Sequence, residues 1–226
     1  MTSATLASVP SVAAAEGIPG GAHRVERRAD FDAQGFAALV GRSAQIRQLY
    51  EATAFVPAVL SSIKNSLNGL QFGFGYPAAD ISIVLAGHGP SSVYGYSDYL
   101  WRKYRLGEFF KLTDAAGRTI ETNLYLDSHA PLDPASDPDE EASMYQDASI
   151  VTLQHRGLIV LTCHTAVEEQ ARALVQRGFA PAGMSATDVA ADVLTHLIEG
   201  AFVVPSMVAT IAVLQNTYRY AYLMPL

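Results

Sequence analysis

The chain has 226 residues, of which half are apolar and 16% are charged, and its net charge is −7. Such a chain can bury a full core and leave apolar surface for contacts between copies. The acidic balance argues against a nucleic-acid groove, which needs clustered Lys and Arg. No apolar run approaches the roughly 18–20 residues that span a membrane, and one cysteine allows no intramolecular disulfide.

The first 30 residues are predicted to form a flexible tail or a residual export signal. Residues 1–21 are rich in Ala, Ser, Pro and Gly, and residues 13–15 resemble a signal-peptidase site. A secretory signal should begin with a basic segment, which this stretch lacks. The compartment, cytoplasmic or periplasmic, therefore stays open, and residues 31–226 are predicted to form a single domain.

The first half of this domain is predicted to contain helices followed by a buried strand. Residues 31–50 have helical spacing of apolar side chains, and a second helix begins at Pro57 and ends before the glycines at 69–75. Residues 81–86 are continuously apolar, which is typical of a strand in a parallel sheet. A tight glycine-rich turn at residues 87–90 follows this strand.

An aromatic segment at residues 91–105 is predicted to be partly helical. In one helix, four of its side chains would form a stripe at spacings of three and four: Tyr94, Asp98, Trp101 and Arg105. This stripe would either form the wall of a ligand pocket or be buried in the core or a subunit contact. Residues 113–121 are predicted to form a small hairpin or an excursion from the fold.

Residues 127–141 form an acidic, proline-rich stretch that is predicted to be a solvated loop. Its acidic residues lack the regular spacing of a calcium loop: Asp133, Asp137, Asp139, Glu140 and Glu141. The six histidines show no paired spacing typical of a zinc site. The chain also lacks a glycine-rich phosphate-binding fingerprint, so we expect neither a metal nor a cofactor.

The second half is predicted to alternate helices and strands. Short helix 150–154 precedes the strand 157–163, a helix capped by Thr165 and Glu168, and a helix capped by Ser185 and Asp188. A strand at 201–204, a helix at 206–216 and a closing strand at 220–224 complete the chain. This order favours a three-layer α/β fold with a mostly parallel sheet and flavodoxin-like layering.

The strongest candidate site is the single cysteine, Cys163, at a strand end before a helix N-terminus. Such positions bind ligands in α/β proteins and favour a thiolate, although a buried cysteine also serves as a small apolar packing residue. His88 lies between Gly87 and Gly89 after the other buried strand, and it would converge with Cys163 if the two strands are neighbours. His164 is predicted to point to the opposite face from Cys163. No acidic partner for a triad is recognisable.

The chain resembles the DsrE/DsrF-like family of sulfur-handling proteins, and in particular its larger, often export-tagged branch. The resemblance rests on the order of several pieces: residues 64–68, the turn 88–90, Asp98-x-x-Trp101-x-x-Tyr104, residues 162–165 and residues 194–223. It implies a three-layer fold, homo-oligomers that are commonly trimers or hexamers, and a persulfide on the cysteine that matches Cys163. The aromatic segment and the acidic loop are departures from the sulfur-relay members that would fit a pocket for a small molecule.

Two functions from different classes follow as hypotheses. The first is a sulfur carrier or sulfurtransferase that uses Cys163, with His88 as acid or base and a sulfur-donor protein as partner. The second is a small-ligand-binding module, or a cofactor-free lyase or hydrolase, around His88. The residues expected to bind the ligand are Gly87, Gly89, Tyr94, Tyr96, Asp98, Trp101, His164 and Thr165.

Overall fold

A five-stranded parallel sheet forms the centre of the fold in a computed structural model that describes residues 27–224. Most of the predicted N-terminal tail or export signal lies outside these residues. The strands have the spatial order β4-β3-β2-β1-β5. Their bounds are β1 Ile46–Ala52, β2 Ile81–Gly87, β3 Leu158–Cys163, β4 Ala201–Val204 and β5 Ala221–Leu223.

Helices cover both faces of this sheet and confirm the predicted three-layer α/β fold. Their bounds are α1 Ala33–Val40, α2 Pro57–Asn68, α3 Asp98–Lys103, α4 Leu106–Phe110, α5 Ile150–His155, α6 His164–Gln176, α7 Ala186–Thr195 and α8 Met207–Asn216. Helices α1 and α8 pack on one face, and the helices α2 to α7 contribute to the larger core on the other. In the described range, no helix combines the length and apolar character needed to cross a membrane.

The alternation of side chains along the two central strands divides the core into two clusters. Leu85 and Val160 point into the larger cluster, which also holds the aromatic segment. Val84, Leu161 and Cys163 point into the smaller cluster beneath α1 and α8. Successive strand residues point to opposite faces, so the thiol of Cys163 and the aromatic segment lie on different sides of the sheet.

The predicted helix over residues 31–50 is wrong in its second half. Helix α1 ends at Val40, and the chain then enters the sheet as strand β1. Gly41 caps the helix, and Arg47 of β1 donates to the carbonyls of Val40 and Arg42. The strand pairs with β2 along its whole length and with the three-residue β5. Helical spacing of a few apolar residues was thus overridden by pairing within the sheet.

Two local predictions about helices are also corrected. Tyr94 belongs to a 3₁₀-helix over Gly89–Gly95, and the chain is extended at Tyr96 before α3 begins, so the four-residue aromatic stripe is not continuous. Asn123 holds this break by donating to the carbonyls of Tyr94 and Tyr96 at 3.0 and 3.2 Å. Thr165 does not cap α6, because the helix begins at His164 and Cys163 occupies the N-cap position.

The predicted starts of two helices and the predicted hairpin are confirmed. The capping box at α7 is present, since the Ser185 hydroxyl accepts from the Asp188 N–H while the Asp188 carboxylate accepts from the Ser185 N–H. Helix α2 has Pro57 in its first turn. The hairpin at 113–121 is a single antiparallel bridge between Thr113 and Thr119.

Candidate active site at the carboxyl edge of the sheet

Three ionisable side chains from three strand ends meet at the carboxyl edge of the sheet. His88 follows β2, and its Nε2 lies 2.6 Å from Oε1 of Glu51 in β1. The hydroxyl of Tyr222 in β5 donates to the other oxygen of the same carboxylate. Because β1 lies between β2 and β5, the strand order itself brings His88, Glu51 and Tyr222 together.

The contact with Glu51 fixes the proton position on the neutral imidazole of His88. A carboxylate only accepts hydrogen bonds, so the Nε2 of His88 carries the proton in this pair. The lone pair of the neutral ring then lies on Nδ1. The side chains of His88 and Glu51 are 25% and 15% exposed, so a small molecule can approach the pair from solvent. A base held by a carboxylate is the arrangement used in general acid–base catalysis.

The turn that carries His88 is built by its neighbouring glycines. A Cβ on Gly87 would meet the carbonyl oxygen of Ser91 at 2.9 Å, and Gly89 has a φ of +57°. The Ser91 hydroxyl accepts from the His88 N–H at 3.0 Å, and Gln170 of α6 donates to the Gly89 carbonyl at 2.6 Å. These contacts hold the backbone on both sides of His88.

Tyr222 acts as a second donor to the carboxylate. Its hydrogen bond to Glu51 raises the pKa of the Tyr222 hydroxyl above its ordinary value of 10.0, and partial burial adds to this effect. Tyr222 therefore keeps its proton at neutral pH and orients Glu51 toward His88. The Glu51 carboxylate therefore accepts hydrogen bonds from Tyr222 on one side and from His88 on the other.

We expect Glu51→Gln to lower the pKa of Tyr222, because the neutral amide no longer favours the protonated phenol. In the wild type, the raised pKa of Tyr222 contributes to the stability of the folded protein. This contribution is fully present below the unfolded pKa of about 10 and is lost as the pH rises through the folded pKa. Titration of the ¹³C-labelled tyrosine rings by NMR measures the shift, and Tyr222→Phe assigns the signal. An unchanged midpoint in Glu51→Gln would show that the carboxylate does not act on Tyr222.

Cys163 occupies a different environment from the one that surrounds His88. Its side chain is 4% exposed, and its Sγ accepts a hydrogen bond of 3.3 Å from the N–H of Met207, the first residue of α8. Strands β2 and β3 are neighbours, as the convergence of His88 and Cys163 requires. The His88 ring nevertheless bonds toward β1, and no hydrogen bond among the described residues joins it to Cys163. The strand register puts the Cα atoms of Glu51 and Cys163 about 12 Å apart.

The tyrosines predicted to bind ligand have structural partners. The Tyr94 hydroxyl accepts from the Val56 N–H at 2.7 Å and donates to the Val56 carbonyl. The hydroxyl of Tyr96, also buried, donates to Gln170 at 2.6 Å. Burial raises the pKa of both phenols well above the ordinary value. Tyr96 thus acts indirectly at the edge, since Gln170 also holds the turn beside His88.

The remaining predicted ligand-binding residues are distributed over three places. Asp98 accepts from the Asn123 N–H at 2.9 Å. His164 is buried in the first turn of α6, and the hydroxyl of Thr165 donates to the Pro205 carbonyl at 3.0 Å. Trp101 is fully buried and forms part of a cleft beside α3 and α4. The structure therefore brings Gly87, His88 and Gly89 together at one site and places the others elsewhere.

Sequence reasoning missed two members of the site, Glu51 and Tyr222. Glu51 directly follows residues 31–50, for which the sequence predicts a helix, and no strand is predicted there. A signal for strand β1 was the break at Gly41 and Ser43, followed by Ile46 and Tyr50 in a stretch that ends before Pro57.

Within residues 27–224, no group of three potential ligands for a metal ion is present.

No protein-family model, no curated protein and no solved structure matches the chain.

Proposed function

We propose that the protein catalyses proton transfer on a small molecule at the carboxyl edge of its sheet, with His88 as the general base or acid. The observation that carries this proposal is the 2.6 Å contact between Glu51 and Nε2 of His88, which leaves Nδ1 with the lone pair. The resulting class of enzyme is a hydrolase or lyase in which His88 and Glu51 form no covalent bond to the substrate. Glu51 is a positioning residue that holds the ring through Nε2.

In the hydrolytic case, Nδ1 of His88 takes a proton from water as the water oxygen attacks a carbonyl carbon. The leaving group departs with the electron pair of the broken bond, and the protonated ring then returns its proton to solvent or to the leaving group. Glu51 stabilises the imidazolium that forms in between. A positioned general base of this kind contributes roughly 10²–10⁴-fold to a rate.

Hydrolysis of p-nitrophenyl acetate tests the proposal without knowledge of the natural substrate. We expect His88→Gln to lower kcat/KM about 10²-fold and Glu51→Gln to lower kcat about tenfold with little change in KM. His155→Gln is the matched control, because His155 is exposed and has no carboxylate partner among the described residues. Wild-type rates no higher than those of His88→Gln would contradict the proposal, and so would an equal loss in His155→Gln.

Sulfur transfer through Cys163 is the second candidate function, and one contact favours it. The N–H of Met207 lies at the N-terminus of α8, where unpaired N–H groups and the helix dipole stabilise a thiolate. The resemblance to sulfur-handling proteins supports the same candidate. The burial of the thiol is the reason to rank it second, because a persulfide carrier must expose its sulfur to a donor and to an acceptor.

A further inference from the structure

A groove runs between helices α1 and α8, on the sheet face that holds the smaller core cluster. Its volume is about 430 Å³, which is within the usual range for a small-molecule site. The described residues that line it include none of the three side chains that meet at the carboxyl edge, His88, Glu51 and Tyr222. The groove is therefore separate from the site of the proposed catalysis.

The walls of this α1–α8 groove offer apolar surface that is open to solvent. On α8, Ala209 is exposed, and Val213, one turn further along, is 42% exposed. Ala37 of α1 is exposed, and the rings of Phe31 and Tyr218 are half-buried. A molecule that enters the groove would therefore contact accessible apolar atoms from both helices.

A buried ring fixes the positions of the two half-buried ones. Phe36 is 6% exposed, and its ring centroid lies 5.7 Å from that of Phe31 and 5.9 Å from that of Tyr218. The Phe31 ring also lies 6.3 Å from that of Phe202 in β4. Aromatic rings pack favourably at these separations. The wall is thus formed before a ligand arrives, which lowers the ordering cost of binding.

The composition of α8 indicates that the occupant of the groove is apolar. The ten residues Met207–Asn216 include no charged side chain. A surface helix normally carries charged residues on its outer face, whereas a helix that is apolar around its circumference is covered. Ala209 and Val213 are exposed toward the groove, so an apolar body placed there would remove them from water.

Charge indicates the polar group that this occupant carries. Among the described residues that line the groove, none is acidic and Arg28 is the only charged one. Its guanidinium makes no hydrogen bond or ion pair with another described residue. A guanidinium presents donors that suit a carboxylate. The groove therefore favours an anion, although the net charge of the chain is −7.

We propose that the α1–α8 groove binds a small carboxylate with an apolar body, such as an arylalkyl carboxylic acid. The ligand carboxylate binds the guanidinium of Arg28. The apolar body lies against Ala209 and Val213 and against the half-buried rings of Phe31 and Tyr218. An alcohol of the same shape lacks the contact with Arg28, and an amine is repelled by it.

Calorimetric titration with 4-phenylbutyrate tests the proposal. We expect saturable binding with a Kd of about 1 mM or tighter. The uncharged 4-phenyl-1-butanol should bind about threefold to fivefold more weakly, because Arg28 is exposed and its attraction for an anion is screened. The cationic 4-phenylbutylamine should bind more weakly still. No saturable heat from the carboxylate up to about 10 mM, or an amine that binds as tightly, would overturn the proposal.

Two pairs of variants locate the binding. Ala209→Leu fills the groove and should weaken 4-phenylbutyrate at least about tenfold. Ala212→Leu makes the same change at an exposed position of α8 outside the lining, and it should bind normally. Leucine is a good helix former, so both variants should fold. Arg28→Gln should remove the advantage of the carboxylate over the alcohol, whereas Arg27→Gln, at an exposed neighbour outside the lining, should retain it.

Normal binding by Ala209→Leu, or an equal loss in Ala212→Leu, would overturn the proposal. A second copy of the chain is the competing occupant of the groove, and sedimentation velocity tests for it. A wild-type dimer that Ala209→Leu dissociates, together with no binding of 4-phenylbutyrate, would assign the groove to that contact instead. His88→Gln should bind 4-phenylbutyrate normally, so this test is independent of the proposed catalysis.

Discussion

Asp147→Asn is expected to lower the free energy of unfolding by about 3 kcal/mol at neutral pH, one of the largest single-residue effects in the chain. Asp147 is 7% exposed, and its carboxylate accepts from the N–H groups of His129 and Ser149 at 2.7 and 2.8 Å. It also accepts from the Thr152 hydroxyl at 2.8 Å. These bonds join the acidic loop to the start of α5, and an amide NH₂ in the same place would face donors instead.

The pH dependence of stability distinguishes this role from a simple packing defect. Burial raises the pKa of the Asp147 carboxyl, but the hydrogen bonds from Ser149, His129, Thr152 and Ser128 outweigh it, so the pKa lies below its ordinary value. The lowered pKa of Asp147 therefore contributes to the free energy of unfolding. This contribution is fully present above the unfolded pKa of about 3.9 and is lost as the pH falls through the folded pKa.

Urea unfolding of Asp147→Asn and wild type across this acidic range measures the difference. The gap between the two proteins should narrow as the pH falls below about 4. Asp127→Asn makes the same change at an exposed carboxylate within the acidic loop that Asp147 holds, and it should alter stability by less than about 0.5 kcal/mol. A gap that stays constant with pH, or an equal loss in Asp127→Asn, would show that the carboxylate charge of Asp147 is not what stabilises the loop.

Cys163 is expected to react with a thiol reagent at least about 10³-fold more slowly in the folded protein than in denaturant. The side chain is buried in the smaller core cluster, which also contains Ala166, Val204 and Met207. Labelling then requires local opening, whose free energy sets the protection. The reaction is followed by the absorbance of released thionitrobenzoate, with denatured protein as the reference.

This labelling rate also decides between the two functions proposed for the protein. A protected thiol, together with an intact mass that does not change on reduction, supports a packing role for Cys163 and leaves His88 as the reactive group. Fast labelling of the folded protein would contradict the burial and move the assignment to sulfur transfer. Cys163→Ala, which should show no label, identifies the site that reacts.

The fold was predictable where each element carried its own local signal. Strands β2 and β3 are predominantly apolar and buried along their whole length, as expected for strands that are covered on both faces. Helix α7 begins with a complete capping box. Strand β1 was not predictable in the same way, because Arg47, Gln48 and Glu51 interrupt its apolar pattern. Each of the three has a hydrogen-bond partner distant in the chain, which no local pattern reveals: Tyr218 for Arg47, Ser66 for Gln48 and His88 for Glu51.

The candidate site was half predictable for the same reason. His88 could be selected from its place after a buried strand and between two glycines. Its partners depend on the strand order, since Glu51 and Tyr222 come close to it only when β1 lies between β2 and β5. The direction of the Cys163 side chain was open as well, because it depends on which face of β3 the helices α1 and α8 cover.

The tautomer of His88 tests the account most directly, because the proposed chemistry needs the lone pair on Nδ1. Long-range ¹H–¹⁵N NMR of the ring at alkaline pH separates the two neutral forms. We predict a proton on Nε2 in the wild type and a mixture of the two tautomers in Glu51→Gln. A proton on Nδ1 of His88 in the wild type would contradict it.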